Sequence, residues 1–180
     1  MKTSGMAHLR GGIYWMLLAL PSILFPTMIA YSLGLRVNTS RSLPIGIYAV
    51  TKDPLSKLIE FCPDGKAAEE SKTRGYRSRG SCPDGAAPLI KPVIARKGDF
   101  VKFSSRGFSV SGRFLKNTAP LALDGAGRPL THWIFGVYRV APGEVWVAST
   151  HNYGSYDSRY FGPICTSSIR HRLRPVWTFH

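Results

Sequence analysis

The feature that most constrains this chain is an uncharged apolar run close to its N-terminus. From Ile13 to Leu35 the sequence reads IYWMLLALPSILFPTMIAYSLGL. A helix of this length, at a rise of about 1.5 Å per residue, spans a hydrocarbon core of roughly 30 Å. Pro21 and Pro26 are expected to kink the helix, which membrane helices tolerate. The run therefore predicts one N-terminal transmembrane helix, and residues 1–35 are interpreted as a short N-terminus followed by the anchor.

Basic residues on both sides of this run bear on its orientation. Lys2 and Arg10 precede it, so the positive-inside tendency predicts a cytoplasmic N-terminus, although Arg36 opposes that bias. Residues 36–180 are then expected to lie in the periplasm, at the bacterial inner membrane. A cleaved signal peptide is the alternative, but the run exceeds the usual h-region and no A-x-A pattern closes it.

The strong positive charge restricts the partners of the chain. The formal net charge is +14, which would suit either nucleic acid or an anionic lipid surface. The sequence carries no RNA- or DNA-reading motif and no helix-turn-helix pattern. We therefore expect membrane lipid as a partner and no nucleic acid.

Cysteine usage agrees with an oxidising compartment. Cys62 and Cys82 open two copies of the tetrapeptide CPDG, and a disulfide between them would close a polar loop with about 3 kcal/mol of stabilisation. A short helix is predicted at 66–72, within a polar insertion near 62–85. No zinc site, other metal site or cofactor is expected, because no further Cys or His stands at ligand spacing. Cys165 is interpreted as a small buried side chain.

Beyond the predicted anchor, short β-rich runs alternate with glycine and proline. The runs are IGIYAV, KLIEF, PLIKPVIA, DFVKF, WIFGVYRV and EVWVAS. This pattern predicts a mostly β fold, a twisted antiparallel domain with partly closed sheets. Glu69, Glu70 and the basic segment RHRLRPVW are interpreted as solvated faces.

Lys91 has an unusual setting for a charged residue. It lies in the segment LIKPVIARKGDFV, among apolar neighbours. If its ammonium is buried without a carboxylate partner, desolvation lowers its pKa and the amine can serve as a base. Strand alternation leaves the alternative that Lys91 simply points outward.

A second polar cluster occurs in GSYDSRYFGPI, where two hydroxyls, an acid and an arginine occupy five positions. Asp157 and Arg159 are expected to pair along one face of an extended strand. On its own, such a pair is more often structural than catalytic, and at a surface it contributes little.

Taken in order, the anchor, NTSRSLPIGIY, LIKPVIARKGDFV and GSYDSRYFGPI resemble the type I signal peptidase family, most closely its plasmid-encoded conjugative-transfer branch. The resemblance covers nearly the whole chain and implies a serine peptidase with a Ser/Lys dyad. Ser42 matches the nucleophile, Lys91 matches the general base, and Ser40 matches the residue that forms the oxyanion hole with the Ser42 backbone N–H.

The same resemblance implies supporting roles in the last motif. Ser155 matches a position that orients the lysine, and Asp157 with Arg159 matches the pair that braces the site. In the conjugative branch the aspartate is needed for activity, so Asp157 is included among the catalytic candidates. The implied substrate is a pilin precursor, cut through an acyl-enzyme on Ser42. Either water or the substrate's own terminal amine would release the product, and the amine would give a cyclic product.

One segment departs from ordinary signal peptidases. ASTHNYGS replaces their Gly-Asp-Asn box, which leaves the geometry of residues 149–152 open and introduces His151. A Ser/His/Asp arrangement of Ser42, His151 and Asp157 is therefore an alternative. A self-cleaving repressor is disfavoured, because its cleavage dipeptide would precede the serine, whereas Ala126-Gly127 follows Lys91.

Three functions remain to be compared. The first is a membrane-anchored serine endopeptidase of conjugative transfer, working with the conjugative secretion machinery. The second is a general type I signal peptidase. The third is a membrane-anchored scaffold of a secretion apparatus without enzymatic activity, for which Ser42 and Lys91 would be dispensable.

Overall fold

The computed structural model describes residues 28–179. Most of the predicted anchor therefore lies outside the described residues. Residues 28–32 are helical, and Leu35 is the first residue of a strand that ends at Asn38. Among residues 28–179, no helix has the length and hydropathy needed to cross a membrane. A compact unit begins at Val37 and contains every site residue discussed below.

Strands dominate this unit, as the alternation of short apolar runs predicts. The elements in chain order are β1 (Leu35–Asn38), β2 (Gly46–Thr51), β3 (Leu58–Phe61), α1 (Gly65–Thr73), β4 (Leu89–Arg96), β5 (Phe100–Ser104), β6 (Gly107–Val110), β7 (Arg113–Phe114), β8 (Gly136–Arg139), β9 (Glu144–Val147), α2 (Ser158–Phe161), β10 (Ile164–Cys165), a 3₁₀ turn (Thr166–Ser168) and β11 (Ile169–Thr178).

The strands form two sheets. The larger has the order β1-β2-β11-β3-β4-β9-β10, and the smaller has the order β7-β6-β5-β8. The pairings recorded within these sheets are antiparallel. The predicted mostly β, antiparallel fold class is confirmed for the described residues.

Strand β4 links two of the three hydrophobic clusters found in the described residues. Its side chains alternate, so that Lys91, Val93 and Ala95 lie on the buried face. Ala95 packs in a core with Phe103 and Trp146, whereas Val93 packs in a second core that extends to β3 and β10. Lys91 therefore continues an inward-facing row, and the alternative that it points outward is wrong.

The C-terminal basic segment is a strand with a buried centre, although Arg170 and Arg174 are exposed, as in a solvated face. Residues 170–177 belong to β11, which pairs with both β2 and β3 in the middle of the larger sheet. Leu173 at its centre is fully buried against Leu43 and Tyr48. Gly46 is required beside this strand, because a Cβ there would lie 2.2 Å from the Trp177 carbonyl oxygen.

The insertion near 62–85 contains the predicted helix and the predicted bridge. Cys62 and Cys82 form a disulfide, and α1 lies inside the loop that it closes. Glu70 is not simply solvated, because its carboxylate accepts a hydrogen bond from the Tyr156 hydroxyl at 2.9 Å. Cys165 is exposed rather than buried, because it ends the edge strand β10.

Candidate active site

The turn that carries Ser42 is held by a buried asparagine. The Asn38 amide nitrogen donates to the carbonyl oxygens of Ser40 and Pro44 at 2.9 and 3.1 Å, and its oxygen accepts from the Ser40 N–H. This side chain fixes the path between β1 and β2, so that Ser42 is buried at a defined position. Asn38 was not among the site residues predicted from the sequence. The tendency of asparagine to hydrogen-bond to nearby backbone is the signal that would have indicated it.

Lys91 and Ser42 meet although 49 residues separate them. The Lys91 Nζ atom lies 2.6 Å from Ser42 Oγ and 2.8 Å from Ser155 Oγ. Its side chain comes from the middle of β4, opposite Ile59 of β3. Lys91 is only 3 % exposed, so these two hydroxyl groups replace the water that would otherwise solvate the amine.

The surroundings of Lys91 favour its neutral form. Burial disfavours the ammonium and lowers its pKa from 10.5 to about 8. The Asp157 carboxylate opposes this shift, and the Arg159 guanidinium adds to it. Both hydrogen bonds recorded for the amine end on hydroxyl groups. A lysine with this pKa is a competent proton acceptor for a serine hydroxyl near neutral pH.

The aspartate and arginine of the last motif form a buried ion pair. Arg159 donates from Nε and from a terminal nitrogen to the two Asp157 carboxylate oxygens, each at 2.8 Å, and neither side chain has exposed surface. The sequence predicted that the pair would lie along a strand, and that prediction is wrong. Asp157 caps α2, and Arg159 lies in its first turn. The pair is also buried, so the estimate for a surface pair does not apply to it.

Arg159 connects this pair to the backbone around the site. Its terminal nitrogens donate to the carbonyl oxygens of Ser155, at 2.7 Å, and of Tyr153. The guanidinium therefore fixes the backbone of Ser155, whose hydroxyl contacts Lys91. The recorded hydrogen bonds of the Asp157 carboxylate end on Arg159 and on the Ser149 N–H, at 3.0 Å for the latter. The Asp157 carboxylate is therefore linked to Ser42 through Ser149, and to Lys91 through Arg159 and Ser155.

Ser149 is a second residue that the sequence analysis did not single out. Its hydroxyl donates to the Ser42 carbonyl oxygen at 2.6 Å and accepts from the N–H groups of His151 and Asn152. It therefore joins the segment that carries Asp157 to the turn that carries Ser42. A serine shortly after a strand has no distinguishing sequence signal, because only the fold brings it to Ser42.

The predicted oxyanion-hole groups lie side by side. The Ser42 N–H donates to Ser40 Oγ at 3.2 Å, so the two donors face each other in the absence of an oxyanion. Ser40 is exposed, and rotation of its side chain would free both donors for a negatively charged oxygen. Two donors that converge in this way could stabilise an oxyanion.

The histidine alternative has no support in the geometry. The described structure records a hydrogen bond for the His151 backbone, to Ser149, and none for its exposed ring. The Ser42 hydroxyl faces Lys91, and the Asp157 carboxylate faces Arg159 and Ser149. The Ser42–His151–Asp157 arrangement is therefore not assembled.

A cleft gives access to the Ser42–Lys91 pair. It has a volume of about 370 Å³. Its walls combine the serine turn, the loop of residues 121–130 and three tyrosines, Tyr76, Tyr156 and Tyr160. A reacting carbonyl group of a polypeptide can enter this cleft and lie against Ser42.

Comparisons with known proteins identify a family and relatives for this chain. Residues 16–178 match the family described as "Signal peptidase, peptidase S26". The chain is 38 % identical to the plasmid transfer protein TraF of Escherichia coli, over 83 % of this chain and 85 % of that protein. It is 39 % identical to the conjugal transfer protein TraF of Agrobacterium fabrum, over 81 % of this chain and 84 % of that protein.

A solved structure of signal peptidase I from Enterococcus faecalis was also found. It is 19 % identical, with a TM-score of 0.38, and the match covers 68 % of this chain and 98 % of that chain. The family assignment depends on two other findings. The family match covers nearly the whole chain, and the relatives are similar over most of their length. The chain belongs to the signal peptidase family, peptidase S26.

Proposed function

We propose that this protein is a membrane-anchored serine endopeptidase of conjugative transfer that processes a pilin precursor. Ser42 is the nucleophile and Lys91 the general base. The names of the relatives, plasmid transfer protein and conjugal transfer protein, support a role in conjugation. The predicted anchor supports a place at the bacterial inner membrane, with the peptidase unit in the periplasm. Membrane lipid and the conjugative secretion machinery are then its partners.

The observation that carries the proposal is the 2.6 Å separation of Lys91 Nζ and Ser42 Oγ. An exposed lysine would be protonated and unable to accept a proton at neutral pH. Burial of Lys91 and its lowered pKa supply a population of neutral amine at this position. The contact with Ser155 holds the amine in line with the hydroxyl.

The proposed acylation step follows from these positions. Ser42 Oγ attacks the scissile carbonyl carbon while its proton passes to Lys91 Nζ, which becomes an ammonium. The carbonyl oxygen becomes an oxyanion, which the Ser42 N–H and the Ser40 hydroxyl stabilise. As the C–N bond breaks, Lys91 returns the proton to the leaving amine. An ester on Ser42 and a free amine remain.

The acyl-enzyme is released by a second nucleophile. Water attacks the ester, with Lys91 again taking the proton, and gives a carboxylic acid. The terminal amine of the substrate does the same and gives a cyclic peptide, which is lighter by one water molecule. Mass measurement of the mature product therefore distinguishes hydrolysis from cyclisation.

The enzyme proposal is tested in membranes that contain the full-length chain. Processing of a pilin precursor is compared between wild type, Ser42→Ala and Ser105→Ala at equal protein level. Ser105 is exposed in the turn between β5 and β6, so it is a matched control. We expect the precursor to accumulate only with Ser42→Ala. Complete maturation by Ser42→Ala would contradict the enzyme and favour the scaffold.

The same membranes can be used to distinguish a conjugation peptidase from a general type I signal peptidase. Membership of the signal peptidase family is the observation that favours the general enzyme. An exported precursor with an ordinary signal peptide is added beside the pilin precursor. We expect Ser42-dependent maturation of the pilin precursor alone. Equal maturation of both precursors would favour the general enzyme.

A further inference from the structure

Two tyrosines separate the catalytic cleft from a second cavity. The cleft has a volume of about 370 Å³, and the second cavity has a volume of about 330 Å³. Tyr156 and Tyr160 are the residues that line both. The second cavity lies between the start of α1 and residues 131–134, on the side of the tyrosines away from Ser42.

The two rings form a continuous wall. They are stacked with their planes 6° apart and their centroids separated by 5.5 Å. Tyr156 is 9 % exposed and Tyr160 is 8 % exposed, so both faces of the wall are largely covered. Tyr76 extends the wall on the cleft side, with its ring centroid 5.0 Å from that of Tyr156.

Hydrogen bonds at the hydroxyl ends hold the wall in place. The Tyr156 hydroxyl donates to Glu70 of α1 at 2.9 Å, and the Tyr160 hydroxyl accepts from the Leu121 N–H at 3.1 Å. Burial raises the pKa of both phenols, so both hydroxyl groups stay neutral. Rotation of either ring would break its hydrogen bond and the ring stack, so the wall resists displacement by a substrate.

The wall is also tied to the reacting groups. Tyr156 lies between Ser155, which contacts Lys91, and Asp157, which caps α2. Tyr160 follows Arg159 within α2. The Asp157–Arg159 pair that fixes Ser155 therefore also fixes both rings, and the depth of the cleft is set by the elements that set the catalytic geometry.

The space behind the wall suits a large apolar side chain. Its lining combines polar groups at the start of α1, including Asp64, Lys66 and Glu70, with an apolar set, Trp133, Ile134, Phe161, Pro163 and Ile164. The Trp133 ring packs directly on Gly162, where a Cβ would lie 2.7 Å from it. A side chain that passed the tyrosines would therefore meet aromatic and aliphatic surface on the side of this apolar set.

From this arrangement we infer that Tyr156 and Tyr160 determine substrate specificity by closing the deep end of the cleft. The inference rests on the proposed peptidase function. With the wall in place, the cleft takes small side chains next to the scissile bond. Removal of one ring joins the two cavities and admits Leu, Met or Phe at that position.

The test measures cleavage preference with full-length protein in detergent micelles and a library of synthetic peptides of varied sequence. Wild type is compared with Tyr160→Ala, and the residues flanking each Ser42-dependent cut are identified by mass spectrometry. Tyr160→Phe keeps the ring. Tyr153→Ala removes an exposed tyrosine that belongs to neither cavity lining. These two variants are the controls.

We expect cleavage next to Leu, Met or Phe, relative to Ala, to rise at least about tenfold in Tyr160→Ala. Tyr160→Phe and Tyr153→Ala should keep the wild-type preference. If Tyr160→Ala does not fold, Tyr156→Leu, which keeps a smaller apolar filling, is expected to shift the preference in the same direction.

The outcomes separate this inference from the function on which it rests. Active wall variants with the wild-type preference would overturn the inference and leave the peptidase intact. An equal shift in Tyr160→Phe would also overturn it, because that variant keeps the wall. Wild-type protein without any Ser42-dependent cleavage would overturn the proposed function itself.

Discussion

Two regions of this protein hold charged groups at short range by different means. The candidate catalytic cluster, Ser42, Lys91, Ser155, Asp157 and Arg159, is buried and is joined by hydrogen bonds and the Asp157–Arg159 ion pair. The stapled insertion, residues 62–85, carries partly exposed pairs such as Arg74–Glu70, whose side chains are 24 % and 18 % exposed, and is closed by a disulfide. Burial organises the charged groups of one region, and a covalent bond crosslinks the other.

The difference follows from solvation. In the catalytic cluster, water is replaced by a few fixed dipoles, so a lysine loses its proton more readily and the loss of an ion-pair partner is costly. In the stapled insertion, water screens pairs such as Arg74–Glu70, and the helix has few buried side chains. Arg77 is the exception, because its side chain is buried against Asp84 and Ser71. The disulfide limits the freedom of the unfolded loop instead.

Replacement of the lysine is expected to have the largest effect. Lys91→Met keeps a side chain of similar length but removes the proton acceptor, so the rate of Ser42-dependent cleavage should fall by about 10²–10⁴-fold. Lys97→Met replaces an exposed lysine in the turn directly after β4 and should cleave at the wild-type rate. Equal rates for the two variants would contradict the role of Lys91 as the base. Circular dichroism checks that both variants fold.

Loss of the buried carboxylate is expected to reduce stability most. Asp157→Asn leaves the Arg159 charge buried without its counter-ion, which should lower the free energy of unfolding by about 3–5 kcal/mol. Denaturant unfolding of the full-length protein in micelles measures this change. A loss below about 1 kcal/mol would place the pair with surface ion pairs and contradict its structural importance.

Removal of the disulfide should act on the stapled insertion alone. Cys62 and Cys82 are separated by 20 residues, and replacement of both by serine should cost about 3 kcal/mol through loop closure. Cys165→Ser, at an exposed free cysteine, is the matched control and should be neutral. Hydrogen exchange should become faster in α1. Unchanged exchange there, with unchanged stability, would show that the insertion does not need its staple.

The pH dependence of the rate reports the solvation of Lys91. The neutral amine is the active form and its pKa is about 8, so the rate should rise about tenfold per pH unit below pH 8 and level off above it. A flat profile between about pH 6 and pH 9 would mean that Lys91 is not the titrating base. The free energy of unfolding should change with pH in the same direction as the rate. Because the unfolded chain holds this proton up to its ordinary pKa of 10.5, unfolding should become harder as pH rises from 8 to 10.5.

Local patterns predict the strands and the staple better than the polar network. Alternation and turn residues indicated β2 to β5 and β9 closely, and paired cysteines indicated the disulfide. β11 was not recognised as a strand, because its place depends on partners more than 100 residues away in sequence. The contacts of Ser149 with Ser42 and of Glu70 with Tyr156 likewise arise between distant segments. Resemblance to a family predicts such contacts only when both residues belong to motifs of that family.

The smallest expected effect is on an ion pair of the stapled insertion, and its dependence on salt should differ from that of the buried pair. Glu70→Gln keeps an oxygen for the Tyr156 hydroxyl but removes the charge beside Arg74, an i,i+4 pair with partly exposed side chains. The free energy of unfolding should fall by less than it does on loss of the disulfide, and the difference from wild type should vanish in about 1 M salt, where the Debye length is about 3 Å. The loss in Asp157→Asn should persist at the same salt concentration, because no solvent ions reach its fully buried pair. If salt abolishes both differences, or neither, then burial does not distinguish the ion pairs of the catalytic cluster from those of the stapled insertion.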